Sequence, residues 1–527
     1  MSELNTLKEL LEATEVDGSF FRRGLEREAL RVDPEGSLAR DPHPEYFGSK
    51  LYHPHITTDF SESQLELITP VHSEVNSLLT ELEQIHRFVY GGLGSQLLWA
   101  SSMPCVLNND DSIPLADYGP SNLGQLKKTY RRGLGYRYGR AMQTICAVHY
   151  NLSFTDPFWN QLGKIEKNGD DKNIFRSKRS FDLMRNFRRF SWLLIYLFGA
   201  SPAICKSFVK GREHRLVQFD EGSLFLEHAT SLRSGNLGYQ SDTQRNSIRI
   251  CYNSLSNYVK TLAEAITTPL DIYEKISLND MNGFNQVSAS ILQSEAEFYT
   301  SVRAKCVPPP GENFLGVLQQ KGVEYIEMRL LDLNPYEPLG ISSSQIHFLD
   351  LFAVYCLLHD SPEHCDQLCS LVHENFSKTV TEGRNPMLKL HDGNREILLT
   401  DWGKSLLDDM RPLAEQLDRQ NGSTDMTDSL ADQYAKLENS SLTPSARILA
   451  DMSRENVSFF RHTMNLSRSH KERLLQLQLP ESRQLEFEQI ARLSIEKQQK
   501  QDARKEISFA KYLETFLKSY QTLLQEK

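Results

Sequence analysis

The sequence predicts an α+β fold built on an antiparallel sheet, with a largely helical C-terminal part. Short runs of period-two alternation, the pattern of half-buried strands, are scattered from Arg22 to about Gly340 among helix-like segments. They are not grouped into consecutive β-α-β units, which favours antiparallel pairing. Beyond about residue 360 the apolar spacing turns helical and the strand signals fade. The expected division is an α+β region over residues 1–360, carrying the polar strand segments, and a mainly helical part over 361–527 packed on it.

In chain order, residues 1–20 read as a short helix ending at Asp17-Gly18. Strands are expected over Glu26–Val32, Leu65–Thr69, Ala147–Phe154, Ile248–Asn253 and Glu324–Leu333, each alternating or briefly apolar. Ser77–Tyr90, Ser180–Phe198 and Ser343–Leu358 repeat apolar residues at three and four positions and read as helices. The C-terminal part reads as helices over Trp402–Asp418, Ser429–Glu438 and Ser445–Arg461, with a charged, Gln-rich stretch from Glu481 onward.

Composition narrows the classes. A chain of 527 residues, 39% apolar and 24% charged, can bury a large core without disulfide staples. Its net charge of −10 argues against nucleic acid as a partner, since phosphate contacts need clustered Lys and Arg. The basic clusters are Arg22-Arg23, Arg131-Arg132 and the stretch Arg176–Arg189, the last read as the solvated face of a helix. The N-terminus lacks a signal-peptide apolar core. The most apolar run, Trp192–Phe198, is much shorter than the roughly 20 residues of a membrane span and reads as a buried helix. The expected location is the cytoplasm, with no membrane partner; the oligomeric state is left open and is compatible with a monomer. Eight scattered cysteines make no disulfide framework. Cys365 and Cys369 beside His364 lack the partner pair of a structural zinc site and read as plain thiols.

Four segments place charged groups on one face of an expected strand. In Gly24-Leu25-Glu26-Arg27-Glu28, residues two apart project together, so Glu26 and Glu28 share a face with Arg27 opposite. Such a pair repels unless a cation or water lies between; an exposed edge strand is the alternative. Asp59 follows Ile56-Thr57-Thr58, and Glu66 sits in the apolar run Leu65–Thr69, where an unpaired carboxylate is costly. An N-cap for Asp59 and an exposed edge for Glu66 remain open. In Val148–Phe154, His149, Asn151 and Ser153 face away from four large apolar side chains; a structural histidine is the plainer reading. In Glu324–Leu330, Glu327 and Arg329 share a face, either as an intrastrand ion pair or as a metal-binding carboxylate beside a phosphate-binding guanidinium. Hard carboxylate oxygens suit Mg²⁺ or Mn²⁺, and those ions suit nucleotide phosphates.

The strings Arg23–Arg31, Ile56–Phe60, Met142–Asn151, Phe198–Cys205 and Glu324–Arg329 closely resemble the proteobacterial glutamate–cysteine ligase family. The likeness is dense to about residue 340 and thin beyond. It implies a large curved antiparallel sheet like that of glutamine synthetase, with surrounding helices. It implies Mg²⁺, with Mn²⁺ as an alternative, held by the residues matching Glu26, Glu28, Asp59, Glu66, His149 and Glu327, and Arg329 on the phosphate. Phe60, Tyr130, Arg131, Leu134, Gln143, Arg233 and Tyr239 resemble the amino-acid-binding residues, although Tyr130 and Leu134, four apart, could be ordinary helix packing. Some relatives carry a disulfide at the position of Cys205; no cysteine lies around Phe158–Lys167, so no such bridge is expected.

The implied reaction is phosphorylation of the glutamate side-chain carboxylate by ATP, then attack by the amine of L-cysteine. The substrates are L-glutamate, L-cysteine and ATP. Without a Gly-x-x-x-x-Gly-Lys loop, the nucleotide would be held through metals. A different small amine acceptor, or a dinuclear metallohydrolase, stays open from the residues. Too little chain follows residue 460 for the second ATP-using domain of the bifunctional glutathione-making relatives, so the dipeptide is the expected product.

Overall fold

A computed structural model describes residues 3–12, 20–238, 242–281, 283–309 and 312–525. Its main sheet has seven strands, numbered in chain order: β1 Phe21–Val32, β2 Ile56–Thr58, β3 Gln64–Ile68, β4 Leu97–Leu98, β5 Val148–Phe154, β6 Val302–Lys305 and β7 Tyr325–Leu331. The strand order is β6-β7-β5-β1-β3-β2, with β4 paired to the end of β1, and the pairs are antiparallel. β1 is central, flanked by β3 and β5. Pairing on both edges and cover on both faces bury it from Arg23 onward, apart from the partly open Glu26.

One face is apolar. Leu25, Leu65, Leu67, Tyr150, Leu152, Ile326 and Met328 are buried there. The helix Lys172–Phe198 packs on β6 and β7 and against the helix Ser343–Leu358. The second helix is apolar nearly all round, as an enclosed helix is, and the first becomes so over its last turns, Trp192–Phe198. Each begins at a side-chain cap: Asp171 accepts from the Asn173 N–H, and Ser342 from that of Gln345. Asp350, in the middle of the second helix and fully buried, reaches the sheet. It accepts Arg23 Nε at 2.8 Å and the Tyr150 hydroxyl at 2.5 Å, tying the helix to β1 and β5.

After Ser343–Leu358 come the helices Asp366–Glu382, Leu399–Asn421, Asp425–Glu438, Pro444–Glu455, Phe459–Gln476, Glu481–Asp502 and Phe509–Gln525. Among the described residues no helix is long and apolar enough to cross a membrane.

Several elements differ from the sequence reading. Ile248–Asn253 is not a strand. Its carbonyls at Tyr252 and Asn253 accept from Arg185 Nη1, so a side chain satisfies backbone groups that a sheet would otherwise pair. Ser445–Arg461 is two helices, because Asn456 turns left-handed (φ 52°) and Ser458 caps a new helix by accepting from the Arg461 N–H. The hairpin Lys389–Asp392/Arg395–Leu398 was unforeseen, although Asp392-Gly393, with φ 60° at Gly393, is a hairpin-turn signal. The stretch Arg176–Arg189 is not a solvated face. Arg185 is 4% exposed, and Arg179 and Arg189 pair with Asp182 and Asp392. The first helix runs Glu3–Leu11; its expected stop at Asp17-Gly18 lies outside the described residues.

The Asp350 tie leads to a stability prediction. Asp350→Ala leaves the Arg23 guanidinium buried without its carboxylate and should cost about 3–5 kcal/mol. Urea denaturation should show the midpoint falling with an unchanged slope. A loss below about 1 kcal/mol would mean the tie adds nothing net.

Candidate active site

The opposite face of the sheet is polar, and strand register assembles its chemistry. Side chains directly opposite each other in an antiparallel pair share a face. His149 stands opposite Glu26, Glu66 opposite Glu28, Asn151 opposite Glu327, and Arg303 opposite Glu327. The register of β7 on β5 shifts between Met328 and Leu331, so Arg329 and Leu330 both oppose His149. This bulge re-aims Arg329 over the imidazole, with Nη1 3.4 Å from His149 Nδ1. Asp59 follows β2; the Tyr118 hydroxyl and Arg131 Nε both donate to its carbonyl.

His149 is the hub. Its Nδ1 is 3.3 Å from Glu26 and 3.6 Å from Glu327, and its Nε2 is 3.6 Å from Glu28. Glu26 also accepts from Asn151 Nδ2 at 2.8 Å. Glu327 pairs with Arg329 at 2.6 Å and lies 3.5 Å from Lys305. One donor atom each from Glu26, Glu66 and His149 falls within 4.8 Å of the others, and Glu28 Oε2 is buried with no hydrogen-bond partner.

Ionisation divides this face in two. Burial would raise Glu327, but Arg329, Lys305 and Arg303 outweigh it and hold the carboxyl well below its ordinary range. Burial also acts to raise Glu26, but its hydrogen bond to His149 leaves it below the ordinary value. On the β3 side burial wins. It pushes Glu66 up to about 8, with Glu26 and Asp59 adding to the rise, and lifts Glu28 well up with Asp59 and Glu66 contributing. Burial and Arg329 draw His149 down, leaving a neutral imidazole with a lone pair to give. A cluster with too much negative charge for its protein cations, an orphaned carboxylate oxygen and a neutral imidazole has the donor set of a divalent-cation site.

The residues expected at the amino-acid subsites lie partly beside this cluster. On the helix Asn122–Tyr138, Arg131 stacks on Tyr118 at 4.6 Å, and Leu134 is 6% exposed. Phe60, 1% exposed, comes 3.7 Å from where a side chain at Gly135 would begin. Buried Gln143 donates to the Tyr299 hydroxyl at 2.9 Å. Arg233 donates to the Arg329 carbonyl at 2.8 Å and lies 3.7 Å from Asp332. A cavity of about 610 Å³ opens beside Arg329 and Arg233, lined also by Tyr299, Tyr252, Arg188 and His364. Phe60, Tyr130, Leu134 and Gln143 do not line it. Tyr239 lies outside the described residues.

Sequence reasoning missed Arg303 and Lys305, although Val302-Arg-Ala-Lys305 alternates in register with β7. It missed Lys127, one helical turn before Arg131 and 5.1 Å above the same Tyr118 ring; burial first, then Arg131, pulls this ammonium down to about 8. It also missed Tyr299, which follows Phe298 in a loop where no periodicity marks either ring.

Fold and site together define a class: an enzyme with a carboxylate–imidazole centre and flanking guanidinium groups on one face of an antiparallel sheet, suited to anionic groups. The particular family follows from comparison. Residues 7–379 match the glutamate-cysteine ligase family. The chain is 46% identical to the glutamate–cysteine ligase of Alcanivorax borkumensis over 94% of its own length and 95% of the relative's. It is also 46% identical to that of Saccharophagus degradans, over 95% and 94%. The crystal structure of the Francisella tularensis glutamate–cysteine ligase in complex with AMP superposes with a TM-score of 0.90 at 33% identity, covering 96% of this chain and 99% of that one. A bifunctional glutathione synthetase from Pasteurella multocida superposes at 0.72 and 25% identity, over 92% of this chain and 57% of that one. The chain belongs to the glutamate–cysteine ligase family.

The raised Glu66 leads to a pH prediction. A carboxyl whose folded value, about 8, lies above the ordinary 4.5 lends stability that is full below 4.5 and lost as pH climbs through about 8. The melting temperature of cation-free protein should therefore fall across that window, and added Mg²⁺ should shrink the fall. Glu66→Gln should flatten the profile; an unchanged slope in that variant would rule Glu66 out as the titrating group.

Proposed function

We propose that this protein joins the side-chain carboxylate of L-glutamate to the amine of L-cysteine at the expense of ATP, the first step of glutathione biosynthesis. The carrying observation is the convergence of Glu26, Glu28, Glu66, Glu327 and His149 with Arg329 on one sheet face, in a chain of this family. The cytoplasm is the proposed location.

Glu26, Glu28, Asp59, Glu66, His149 and Glu327 would hold Mg²⁺, or Mn²⁺ in its place. Bound there, the ions would neutralise phosphate and carboxylate oxygens that otherwise repel one another. The residues of the chain do the rest. Arg329, 19% exposed at the cavity wall, offers a planar fork to the transferring phosphoryl group. Arg233 holds the backbone of Arg329 through its carbonyl and keeps the fork in place. Arg303 and Lys305 keep Glu327 ionised, so that it stays a ligand rather than an acid.

The chemistry runs in two displacements. A glutamate γ-carboxylate oxygen attacks the γ-phosphorus, the bond to the bridging oxygen breaks, and ADP leaves. The neutral cysteine amine then attacks the acyl carbon, the carbon–oxygen bond to phosphate breaks, the surplus proton on nitrogen leaves with the phosphate, and the amide remains. Such a reaction needs charge balance and alignment more than covalent help. Phe60, Leu134 and Tyr130 supply an apolar wall for the thiol side chain. Arg131 supplies a cation for a substrate carboxylate, while Gln143 and, by resemblance, Tyr239 complete the amino-acid subsites.

Phosphate release should require ATP, glutamate, an amine acceptor and a divalent cation together. 2-Aminobutyrate, whose methyl replaces the thiol, should serve as an acceptor. Serine should serve poorly, because its hydroxyl would lose water without a partner. Release without glutamate, or serine as effective as cysteine, would defeat the reading. Arg329→Lys should lower kcat about 100-fold, since one preorganised donor to the developing charge is lost. Turnover within about threefold of the parent would leave Arg329 as only the ion-pair partner of Glu327.

A further inference from the structure

The last helix, Phe509–Gln525, is distant in sequence from the cluster yet packs on the outer side of the helix Asn122–Tyr138, and on Leu255–Thr267 and Phe314–Lys321. Its most deeply buried side chain is Tyr520, 1% exposed, whose hydroxyl donates to Glu295 Oε2 at 2.7 Å. Glu295 opens a tight turn, Glu295–Glu297, and this turn clamps the Asn122–Tyr138 helix. Glu297, fully buried, accepts from Arg137 Nη1 at 2.9 Å, the Tyr138 hydroxyl at 2.8 Å and the Gln293 N–H at 2.7 Å. Gln293 Nε2 donates to the Tyr130 carbonyl at 3.2 Å. Its amide fills the space a Cβ at Gly133 would need, 2.1 Å from that position, so a side chain there would have to displace Gln293. Two residues beyond the turn, Tyr299 meets Gln143 and lines the cavity. The same helix is held at its start, where the Asn122 N–H donates to Glu506 Oε2 at 2.6 Å and Asn122 Nδ2 to the Ile507 carbonyl at 3.0 Å.

We propose that the C-terminal helix is a positioning element for the amine acceptor: Tyr520, acting through Glu295 and the strap 293–299, sets where Tyr130 and Tyr299 stand and so sets acceptor affinity. The inference rests on the reading that Tyr130 and Leu134 face the acceptor. Tyr520 touches no substrate. It acts through the short turn Glu295–Glu297, one end of which it holds at Glu295 while the other is fixed by the buried contacts of Glu297, so a displacement at Glu295 is passed on through the backbone of the strap. The carboxylate cluster stands on β1, β3, β5 and β7, and the strap meets it through Arg303, whose Nη2 donates to the Ala296 and Phe298 carbonyls at 2.7 and 2.6 Å. Tyr130 is held by the strap more directly, so cysteine handling should depend on Tyr520 more than ATP handling does.

Steady-state kinetics with each substrate varied in turn test this on the full chain. Tyr520→Phe removes only the hydrogen bond to Glu295, whereas Tyr520→Ala also empties the space behind the strap. The KM for cysteine should rise about threefold in the first and about tenfold in the second, the size of one lost hydrogen bond and then of lost packing besides. The KM for ATP should hold, and kcat should stay within about twofold. Should Tyr520→Ala fail to fold, Glu295→Leu takes its place; it should match Tyr520→Phe, and the double variant should go no further. An unchanged cysteine KM, or all constants moving together with the melting temperature, would overturn the proposal in favour of a merely structural helix. Leu134→Ala separates the two levels of argument. If it too leaves the cysteine KM unchanged, the acceptor-wall reading has failed; if it raises that KM while the Tyr520 variants do not, only the positioning role has failed.

Discussion

Glu28 and Glu66 face each other across an antiparallel pair, with Glu26 two residues away on the same face and opposite His149. Cross-strand partners hold their β-carbons roughly 4.5–5.5 Å apart. Carboxylates so placed and buried cannot all ionise without help, and the rest of the site is arranged around that constraint. The help is uneven. Arg329, Lys305 and Arg303 crowd Glu327 on the β6–β7 side, whereas Glu28 and Glu66 on the β3 side find too little positive charge and rise in pKa. The result is a gradient across a few strands, from a cationic side fit for phosphate oxygens to an anionic side that gains a divalent ion at least cost.

Such a cluster can stand ready only on a support that does not relax to separate the charges. β1 provides it by sending alternate residues to opposite faces. Glu26 and Glu28 point to the site, while Arg23 and Arg27 point into the core behind it. Arg23 is fastened by Asp350 from the helix beyond, and the same carboxylate takes the Tyr150 hydroxyl from β5. The two strands that carry Glu26 and His149 are thus pinned from the rear by one buried carboxylate. Repulsion on the front face then acts on protonation and ion binding instead of strand spacing.

The proposed acceptor side is built differently. It is a helix, Asn122–Tyr138, held by turns and by elements from far along the chain. Tyr118 joins the two halves: its ring takes the cations of Lys127 and Arg131, while its hydroxyl donates to the carbonyls of Thr58 and Asp59. A shift of the substrate helix would therefore be felt at Asp59, beside the carboxylates. Packing of this kind couples the two subsites without any shared covalent segment.

Much of the site could be read from local pattern. Period two in β1, β5 and β7 announces which of Glu26, Glu28, His149, Glu327 and Arg329 share a face, because side-chain direction along a strand depends only on the next few residues. Helices such as Ser343–Leu358 were equally legible from apolar residues recurring at three and four positions. Ile248–Asn253 misled, because an alternating run says nothing of whether a neighbouring strand or an arginine will satisfy its carbonyls. Arg176–Arg189 misled for a related reason: charge suggests solvent, but pairing with Asp182 and Asp392 let those arginines stay inside. The sequence by itself determined the chemistry available on each strand and the apolar faces that must be buried. Tertiary structure decided the register that sets Glu66 against Glu28, the bulge that turns Arg329 onto His149, and the docking of Tyr520 behind Tyr130. These are pairings between residues far apart in the chain, and their free energy lies in contacts that exist only once the chain has folded.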